Sequence, residues 1–346
     1  MRVLLDDIGM GSSAALRAMG VPEDDAGIVV DSILYAHSHN KHTHGIGRLS
    51  IYARKIDEGL MNPMTPLTIL ASTGAVKLLD AENGFGQVAG IRGMDAAIEM
   101  AHSFGIGLVG IRNSNNFGTA GFIGNHAAIQ DMIGIVLANS GPAIAPTGGG
   151  TAILGTNPIC VAFPSDGRNP PIILDMACSN VARGKIRLAA KNGEAIPLGW
   201  AVDENGKETE DPEAALRGSM MPLGGYKGFG LALCIDLLAG MLTGSAFGGQ
   251  ARNLNHPTEI SRYGHLIIAI DPTAFLSPEC YREWLAQAIQ SVKACGPEGA
   301  VVMPGERSWR YAQSNGSTID LSEQLVAEFN QLACSLNTGM KLLERK

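Results

Sequence analysis

The pattern of hydrophobic and polar positions divides the chain into helical ends and an alternating middle. Apolar residues recur every three or four positions from about residue 12 to 36, and again from about 47 to 58. The segment 61–66 contains two prolines and ends the second of these helices. A further helix is predicted at 322–336, and we expect it to pack against the amino-terminal helices.

Between these ends, predicted strands alternate with predicted helices. The strands fall at 106–111, 133–137, 159–163, 172–175 and 266–270. The helices fall at 94–103, 118–130, 228–242 and 279–294. This alternation is typical of an α/β core. We therefore expect a helical lobe made of residues 1–70 and 307–346, and a mixed α/β lobe made of residues 71–306.

Composition narrows the class of protein. The chain has 346 residues, of which 45% are hydrophobic and 17% charged, enough for two or three lobes and incompatible with a disordered chain. The net charge is −7 and there is no basic block, so we expect no nucleic-acid partner.

Cysteine usage and the amino terminus indicate a compartment. The six cysteines are scattered without a Cys-x-x-Cys pair, which fits a reducing compartment better than a disulfide framework or a zinc site. No secretory signal is visible in residues 1–11, and the longest apolar stretch, 229–242, is too short to span a bilayer. We expect a cytoplasmic globular protein that does not enter a membrane.

One glycine pattern imitates a phosphate-binding loop. Residues 105–110 spell Gly-x-Gly-x-x-Gly, a pattern that binds a dinucleotide only when a strand precedes it and a helix begins within it. Here a predicted helix precedes the glycines and a predicted strand contains them. We therefore predict that this segment does not bind phosphate.

Four of the eight histidines lie close together, at His37, His39, His42 and His44. One interpretation is a polar loop with a few buried or capping histidines. A second is a metal site, although no carboxylate or cysteine stands at the spacing of a zinc motif. The third is catalytic. The sequence by itself leaves all three open.

The catalytic interpretation rests on His44 and Arg48, which are four residues apart. If a helix begins near Gly45, the two side chains lie close to one face of it. An imidazole can give a proton to a carbonyl oxygen as hydride reaches the carbon, and a guanidinium can bind a carboxylate through two hydrogen bonds. Together they suit a 2-oxo acid or its 2-imino analogue, and the Thr43 hydroxyl could orient the imidazole.

Six short segments, in order, carry a resemblance to a known family. They are Thr43-His44-Gly45 with Arg48, then 113–118, 155–158, 175–179, 224–228 and 303–306. With these segments the chain resembles the type-2 malate/L-lactate dehydrogenase family over roughly residues 10 to 335. The resemblance implies an NAD(P)-dependent oxidoreductase with a mixed α/β fold that is not the Rossmann fold, in which a helical lobe from both termini joins the cofactor lobe. It also implies a homodimer whose sites can include residues of both chains.

The resemblance also implies roles for individual residues. His44 would be the proton donor, Thr43 would stand where relatives often have a serine that supports this histidine, and Arg48 and Thr156 would contact the substrate carboxylate. The implied cofactor surface is Asn115, Asn116, Phe117, Gly118, Thr119, Asp175, Met176, Ala177, Tyr226, Lys227, Met303, Pro304, Gly305, Glu306 and Arg307. Lys227 or Arg307 could meet a 2′-phosphate, so the choice between NAD and NADP stays open.

Plainer interpretations of the same residues remain. The glycines of 224–230 could serve helix packing, Asp175 could be an acid in a strand-end turn, and 303–306 could be an ordinary Pro-Gly turn.

Three positions depart from the pattern of the relatives. Asn116 replaces a histidine often found beside the substrate, and an asparagine cannot shuttle a proton at neutral pH. Cys178 stands where threonine is common. Lys185 stands where the Δ1-piperideine-2-carboxylate reductases carry an acid, which weakens the imine-reductase interpretation.

The function we expect is reversible hydride transfer between nicotinamide C4 and C2 of a small 2-hydroxy or 2-oxo acid. His44 would supply the proton, Arg48 would hold the carboxylate, and Lys185 would lie among the groups beside the reacting centre. A reductase of cyclic 2-imino acids is the nearest alternative. A metal-dependent hydrolase built on the histidine cluster is a remote one.

Overall fold

The computed structural model describes residues 1–344. Its helices are α1 (Leu5–Ala18), α2 (Glu23–Ser38), α3 (Leu49–Asp57), α4 (Gly86–Phe104), α5 (Ala120–Ala128), α6 (Arg183–Asn192), α7 (Pro212–Arg217), α8 (Tyr226–Ile235), α9 (Pro278–Lys293), α10 (Glu306–Asn315) and α11 (Glu323–Ser335). Its strands are β1 (Arg2–Leu4), β2 (Thr68–Thr73), β3 (Val76–Asp80), β4 (Ile106–Ser114), β5 (Ile133–Ala138), β6 (Ile159–Phe163), β7 (Ile172–Met176), β8 (Ala201–Val202), β9 (Ser219–Met220), β10 (Tyr263–Ile270) and β11 (Thr318–Asp320).

The core of the molecule is a seven-stranded mixed sheet in the order β2-β3-β4-β10-β5-β6-β7. Only β3 and β4 run parallel, and every other neighbouring pair in this sheet is antiparallel. A Rossmann fold would need a largely parallel sheet. The expectation of a mixed α/β fold of a different kind is therefore confirmed, and β7 forms one edge of the sheet.

The two ends of the chain come together, as the resemblance implies. Strand β1 pairs with β11, and α11 packs against α1 and α3 in a hydrophobic cluster that also receives Phe85 and Leu254. The expected docking of the last helix on the amino-terminal helices is confirmed. The division into lobes stays a prediction: strand β2 crosses its boundary between residues 70 and 71, and residues 345 and 346 of the helical lobe lie outside the described chain.

The continuous helical pattern at 12–36 corresponds to two helices, so a single helix there was wrong. Helix α1 ends at Ala18, and Pro22 stands immediately before α2 in an extended conformation. Proline favours the start of a helix but restricts the residue before it to extended backbone, which explains the break.

Two predicted helices differ from the observed ones at their ends. Helix α4 begins at Gly86 rather than 94, because packing against the sheet outweighs the low helix propensity of three glycines in its first turns. The helix predicted at 228–242 is α8 followed by a π-helical turn, Asp236–Met241. Buried Asp236 accepts hydrogen bonds there from Asn139 Nδ2 and from the Gly248 amide.

The glycine pattern at 105–110 has a packing role. Gly105 ends α4 with a left-handed φ of +79°, and β4 follows at once. A Cβ on Gly107 would overlap the carbonyl of Ala97 in α4, so the glycine lets helix and strand approach closely. The prediction that no helix begins in this segment is confirmed. Within residues 1–344, none of the helices has the length and apolar character needed to cross a membrane.

Candidate active site

A cleft of about 650 Å³ lies at one end of the sheet. Its walls come from the turn before α3, the start of α5, the ends of β5 and β7, the start of α6 and the start of β10. The cleft therefore gathers segments that are far apart in the sequence, and it contains many of the residues that the sequence singled out.

The turn between α2 and α3 carries His44 and Arg48. It consists of two short 3₁₀ helices, His42–His44 and Ile46–Arg48, and α3 begins only at Leu49. A helical segment does begin next to Gly45, but its first turn, Ile46–Arg48, is 3₁₀ rather than α-helical. His44 lines the cleft and Arg48 lies beside it, because the second 3₁₀ turn brings the chain back over the first.

The His44 imidazole is neutral at ordinary pH. Burial lowers its pKa from 6.5 to about 3, helped by the nearby Arg48 charge and partly opposed by Asp175. Its Nδ1 is buried and has no hydrogen-bond partner among residues 1–344, which leaves Nε2 as the nitrogen that a ligand in the cleft can meet. The expected hydrogen bond from the Thr43 hydroxyl to this ring is absent from that part of the chain, because the Thr43 side chain is exposed and its methyl group faces Gly184.

Arg48 is fixed through one side of its guanidinium. Its Nε donates to the carbonyl of Thr43 at 2.9 Å, and the two Nη groups have no hydrogen-bond partner among residues 1–344, so they are available to a planar anion. Arg48 is not itself among the residues that line the cleft. The Arg48 charge acts on Tyr263, a residue that lines the cleft. Burial raises the pKa of Tyr263, and the positive charge of Arg48 opposes that rise.

The segment between β4 and α5 provides one wall of the cleft. Asn116, Phe117, Gly118 and Thr119 all line it, and the Asn116 carboxamide accepts the Gly118 amide at 3.1 Å. Thr119 precedes α5, and its hydroxyl is buried with no partner among the described residues.

Asn115, which was predicted to belong to the cofactor surface, does not line the cleft. It is fully buried, and its Nδ2 donates to the carbonyls of Asn83 and Gly84 and to the Asn83 carboxamide. The carboxamide therefore ties β4 to the loop before α4 and turns away from the cleft.

Asp175, Met176 and Ala177 reach the cleft from the end of β7. Asp175 accepts the Gly121 amide in the first turn of α5 at 3.0 Å and forms an ion pair with Lys41. This carboxylate thus joins the sheet, α5 and the histidine-bearing turn, so it is more than a strand-end acid.

The first turn of α6 closes another side of the cleft. Gly184, Lys185 and Leu188 line it, and Thr156, which lies in the loop after β5, lines the cleft as well. Lys185 has no ion-pair partner within residues 1–344. It lies in the first turn of α6, where the backbone N–H groups give the helix the positive end of its dipole. Cys178 is buried and donates to the carbonyl of Asn157 at 3.1 Å, so it acts here as a packed side chain.

Two predicted groups lie outside this cleft. Tyr226 is 69% exposed at the start of α8, and neither it nor Lys227 lines the cleft. Met303, Pro304, Gly305 and Arg307 line a separate pocket of about 270 Å³. The Pro304 carbonyl accepts the Ile173 amide at 3.1 Å, which places this pocket on the edge strand β7, three residues from the cleft residue Met176.

Glu306 has a structural place rather than a free carboxylate. It is buried, accepts the Met303 amide at 3.0 Å, and forms ion pairs with Lys293 and Arg310. It therefore fixes the loop that leads into α10, and its predicted contact with a cofactor is not supported by its surroundings.

Several cleft residues carried no usable signal in the sequence. Lys41, Ser140, Tyr263 and His265 line the cleft but belong to no motif noted above. His265 lies on β10, where its Nε2 is 2.8 Å from Ser114 Oγ and its ring packs on Phe117. Burial lowers its pKa to about 3. Only the pairing of β10 with β4 brings it here, and no local pattern reveals that pairing.

The four clustered histidines point in different directions. His39 stacks on Tyr35, His37 and His42 contact each other, and only His42 and His44 line the cleft. Across the described residues 1–344, no group of three or more histidine, cysteine, aspartate or glutamate side chains is placed to hold a metal ion.

Comparisons with known proteins identify the family of the chain. The family model of malate/L-lactate dehydrogenase matches residues 6–330. L-sulfolactate dehydrogenase from Methanothermobacter thermautotrophicus is 39% identical over 330 residues, covering 95% of each chain. The structure of sulfolactate dehydrogenase from Methanocaldococcus jannaschii superposes with a TM-score of 0.91 at 35% identity, covering 97% of this chain and 98% of that one.

Two further relatives carry a cofactor in their names. (2R)-3-sulfolactate dehydrogenase (NADP(+)) from Chromohalobacter salexigens is 36% identical over 93% of this chain and 95% of its own. Ureidoglycolate dehydrogenase (NAD(+)) from Escherichia coli K12 is 35% identical over 83% of this chain and 82% of its own. The chain therefore belongs to the malate/L-lactate dehydrogenase family, as its motifs implied, and is an oxidoreductase that uses NAD or NADP.

Proposed function

We propose that this enzyme transfers hydride reversibly between nicotinamide C4 and C2 of a small 2-hydroxy or 2-oxo acid. The observation that carries the proposal is the pairing of a neutral imidazole on the cleft, His44, with a guanidinium, Arg48, that keeps two donor groups free. Relatives named as sulfolactate, malate and ureidoglycolate dehydrogenases support the same class of substrate.

The cleft has features that suit a nicotinamide nucleotide. The Thr119 hydroxyl is a buried polar atom without a partner in residues 1–344, and Phe117, Met176 and Ala177 offer apolar surface for a flat ring. The pocket at 300–308 lies about 10 Å further along edge strand β7, since a strand rises about 3.3 Å per residue. Both pockets together could hold an extended dinucleotide, with Arg307 and Ser308 at the far one.

When bound, the cofactor accepts or supplies the hydride. This chain supplies charge and proton transfer. Arg48 would hold the substrate carboxylate through its free Nη groups, with Thr156 as a second contact. In the oxidative direction, the neutral His44 takes the proton of the C2 hydroxyl on Nε2. In the reductive direction, the same nitrogen returns a proton to the oxygen at C2.

The remaining charges of the cleft favour a second anionic group on the substrate. Lys41 is neutralised by Asp175, but Lys185 has no ion-pair partner in the described chain. Asn116 adds hydrogen bonds but no proton, because a carboxamide does not titrate at neutral pH. We infer that Lys185 and the start of α6 attract a carboxylate or sulfonate, as malate and sulfolactate possess.

The test is a kinetic screen of 2-oxo acids with and without a second anionic group, run in parallel with NADH and NADPH. We expect turnover of 2-oxo acids, with higher kcat/KM for the dianionic ones. Turnover of Δ1-piperideine-2-carboxylate alone would assign the enzyme to the cyclic imine reductases instead. Absence of turnover with every 2-oxo acid would contradict the proposal.

Replacing Arg48 by lysine should weaken substrate binding more than catalysis. A lysine keeps the positive charge but loses the two-pronged guanidinium and its hydrogen bond to the Thr43 carbonyl. One lost charge-assisted hydrogen bond corresponds to about a tenfold rise in KM for the acid. Steady-state kinetics at saturating cofactor measures this, with Arg54→Lys on the neighbouring helix as a control. An unchanged KM for every active acid would remove Arg48 from substrate binding.

We also propose that the enzyme is a homodimer. Exposed apolar side chains form one continuous strip along α8 and the π-helical turn after it: Leu233, Leu237, Leu238, Met241 and Leu242. A strip of this kind marks a protein contact. Sedimentation equilibrium should give about twice the chain mass of 36.2 kDa.

We also propose that the enzyme is located in the cytoplasm, since all six cysteines are free thiols.

A further inference from the structure

Two histidines of the cluster form a hydrogen-bonded pair behind the catalytic turn. His37 lies on α2 and is completely buried, and its Nδ1 is 3.0 Å from Nδ1 of His42. The other ring nitrogen of His37, Nε2, accepts the backbone amide of Ile46 at 3.0 Å. His37 therefore contacts both ends of the segment 42–46, in the middle of which His44 stands.

The hydrogen-bond partners determine the protonation of both rings. The Ile46 amide can only donate, so His37 Nε2 carries no proton, and in the neutral ring the proton is on Nδ1. His37 Nδ1 then donates to His42 Nδ1, which leaves the proton of His42 on Nε2. That nitrogen faces the hydroxyl of Tyr311 at 3.5 Å. Each group thus donates to the next: the Ile46 amide to His37, His37 to His42, and His42 to the Tyr311 hydroxyl on helix α10.

The His37 ring also packs closely against the backbone of the turn. A Cβ on Gly45 would overlap the His37 ring, so glycine at 45 is what allows the imidazole to lie directly against the turn. Burial and the neighbouring His42 lower the pKa of His37 to about 4, and burial also lowers that of His42. Both rings are therefore neutral at ordinary pH, as the single direction of donors requires.

The turn is also held by the buried side chain of Ile46 in the hydrophobic core and by the Lys41 amide, which donates to the carbonyl of Ala36 at the end of α2. Within the turn, the His44 amide donates to Lys41 and the Arg48 amide to Gly45, both through backbone alone. Lys41 reaches Asp175, and Arg48 Nε reaches the Thr43 carbonyl. The His37 ring supplies the polar side-chain contacts between this segment and helix α2, in addition to the packing of Ile46.

We propose that His37 and His42 are positioning residues, which fix the turn so that His44 Nε2 meets the reacting C2 oxygen. The inference rests on the function proposed above. It adds His37, which is buried away from the cleft, and His42, which stands at the edge of the cleft, and the role of both is exerted through the backbone of residues 44–46. Tyr311 links the pair to α10, which follows the pocket at 300–308.

The kinetic test compares His42→Ala with His42→Asn. Alanine removes the acceptor for His37 Nδ1, whereas the asparagine oxygen can replace it. We expect His42→Ala to lower kcat by about ten- to hundredfold, since small misplacements of reacting groups have effects of this size. The deuterium isotope effect from C2 of the hydroxy acid should rise, and His42→Asn should recover most of kcat. His39→Ala is the matched control, because His39 stacks on Tyr35 away from the turn.

The second test uses the unmodified enzyme labelled with ¹⁵N-histidine. Long-range ¹⁵N–¹H spectra should show His37 protonated on Nδ1 and His42 on Nε2, and the ring signals of His44 should shift in His42→Ala. His37 protonated on Nε2, or a His42→Ala enzyme with unchanged kcat and isotope effect, would overturn the inference. Failure of the substrate screen would instead defeat the proposed function, while these spectra would still decide whether the pair exists and moves His44.

Discussion

Replacing His44 by alanine should lower kcat by about 10²- to 10⁴-fold, the range expected when a general acid–base group is lost. The expected effect is large because Asn116 cannot transfer a proton at neutral pH. His265 also lines the cleft, but its Nε2 is engaged with Ser114. Steady-state rates in both directions measure the loss, and NADH fluorescence shows whether cofactor binding is preserved.

The matched control for this variant is His126→Ala. His126 lies on α5 and is paired with Asp95, outside the cleft. It should leave kcat unchanged, which separates the loss of one particular imidazole from the general effect of removing a histidine. A His44→Ala enzyme that turns over at the rate of the unmodified protein would exclude His44 from the chemistry.

The second large effect is on the pH dependence, which should differ between the two directions. Burial and Arg48 hold the pKa of His44 at about 3, so the ring is already the base that oxidation of a hydroxy acid needs. The kcat/KM for oxidation should therefore stay level between about pH 6 and 8 and fall only in strong acid. Reduction needs the protonated ring, so its kcat/KM should fall about tenfold for each pH unit over the same range.

The control for the pH experiment is the His44→Ala enzyme. Its residual reduction should lose the slope, because His37 and His265, whose pKa values are also lowered, do not take part in the proton transfer. A reduction profile that is level up to pH 6.5 and falls only above it would mean that His44 titrates at its ordinary pKa. That result would contradict the buried environment described here.

Much of the fold was accessible from the sequence because its elements have strong local signals. Strand β6 was predicted with its observed ends, and α9 to within one residue at each, since a serine cap and a proline mark the start of that helix. Strands β2 and β3 were missed. Every residue of β2 is exposed, so no alternation of buried and exposed positions marks it.

The candidate site was accessible only in part, for a physical reason. His44 and Arg48 are close in sequence, so their spacing alone predicts that they lie near each other, although the first helical turn after Gly45 is 3₁₀. Lys41 and Asp175 are 134 positions apart, and only the folded sheet pairs them. The side chain of Asn115 shares a motif with cleft residues but is held by the carbonyls of Asn83 and Gly84, partners about 30 positions earlier in the chain that the local sequence does not indicate.

The histidine cluster shows the same limit. Its four members looked equivalent in the sequence, but their surroundings differ in the structure: His39 stacks on Tyr35, His37 and His42 form a hydrogen-bonded pair, and only His42 and His44 line the cleft. Which nitrogen of each ring carries the proton depends on hydrogen-bond partners such as the Ile46 amide. The spacing of residues in the sequence contains no information about these tautomers.

The most direct test of the account is a crystal structure of the enzyme with a nicotinamide cofactor and oxamate, an unreactive analogue of a 2-oxo acid. The account predicts that His44 Nε2 lies about 3 Å from the amide oxygen of oxamate, which takes the place of the C2 oxygen of the substrate. It also predicts that the carboxylate of oxamate is bound by Arg48 Nη1 and Nη2. An analogue bound elsewhere, or with its carboxylate toward His44 and its carbonyl oxygen away from Nε2, would contradict it.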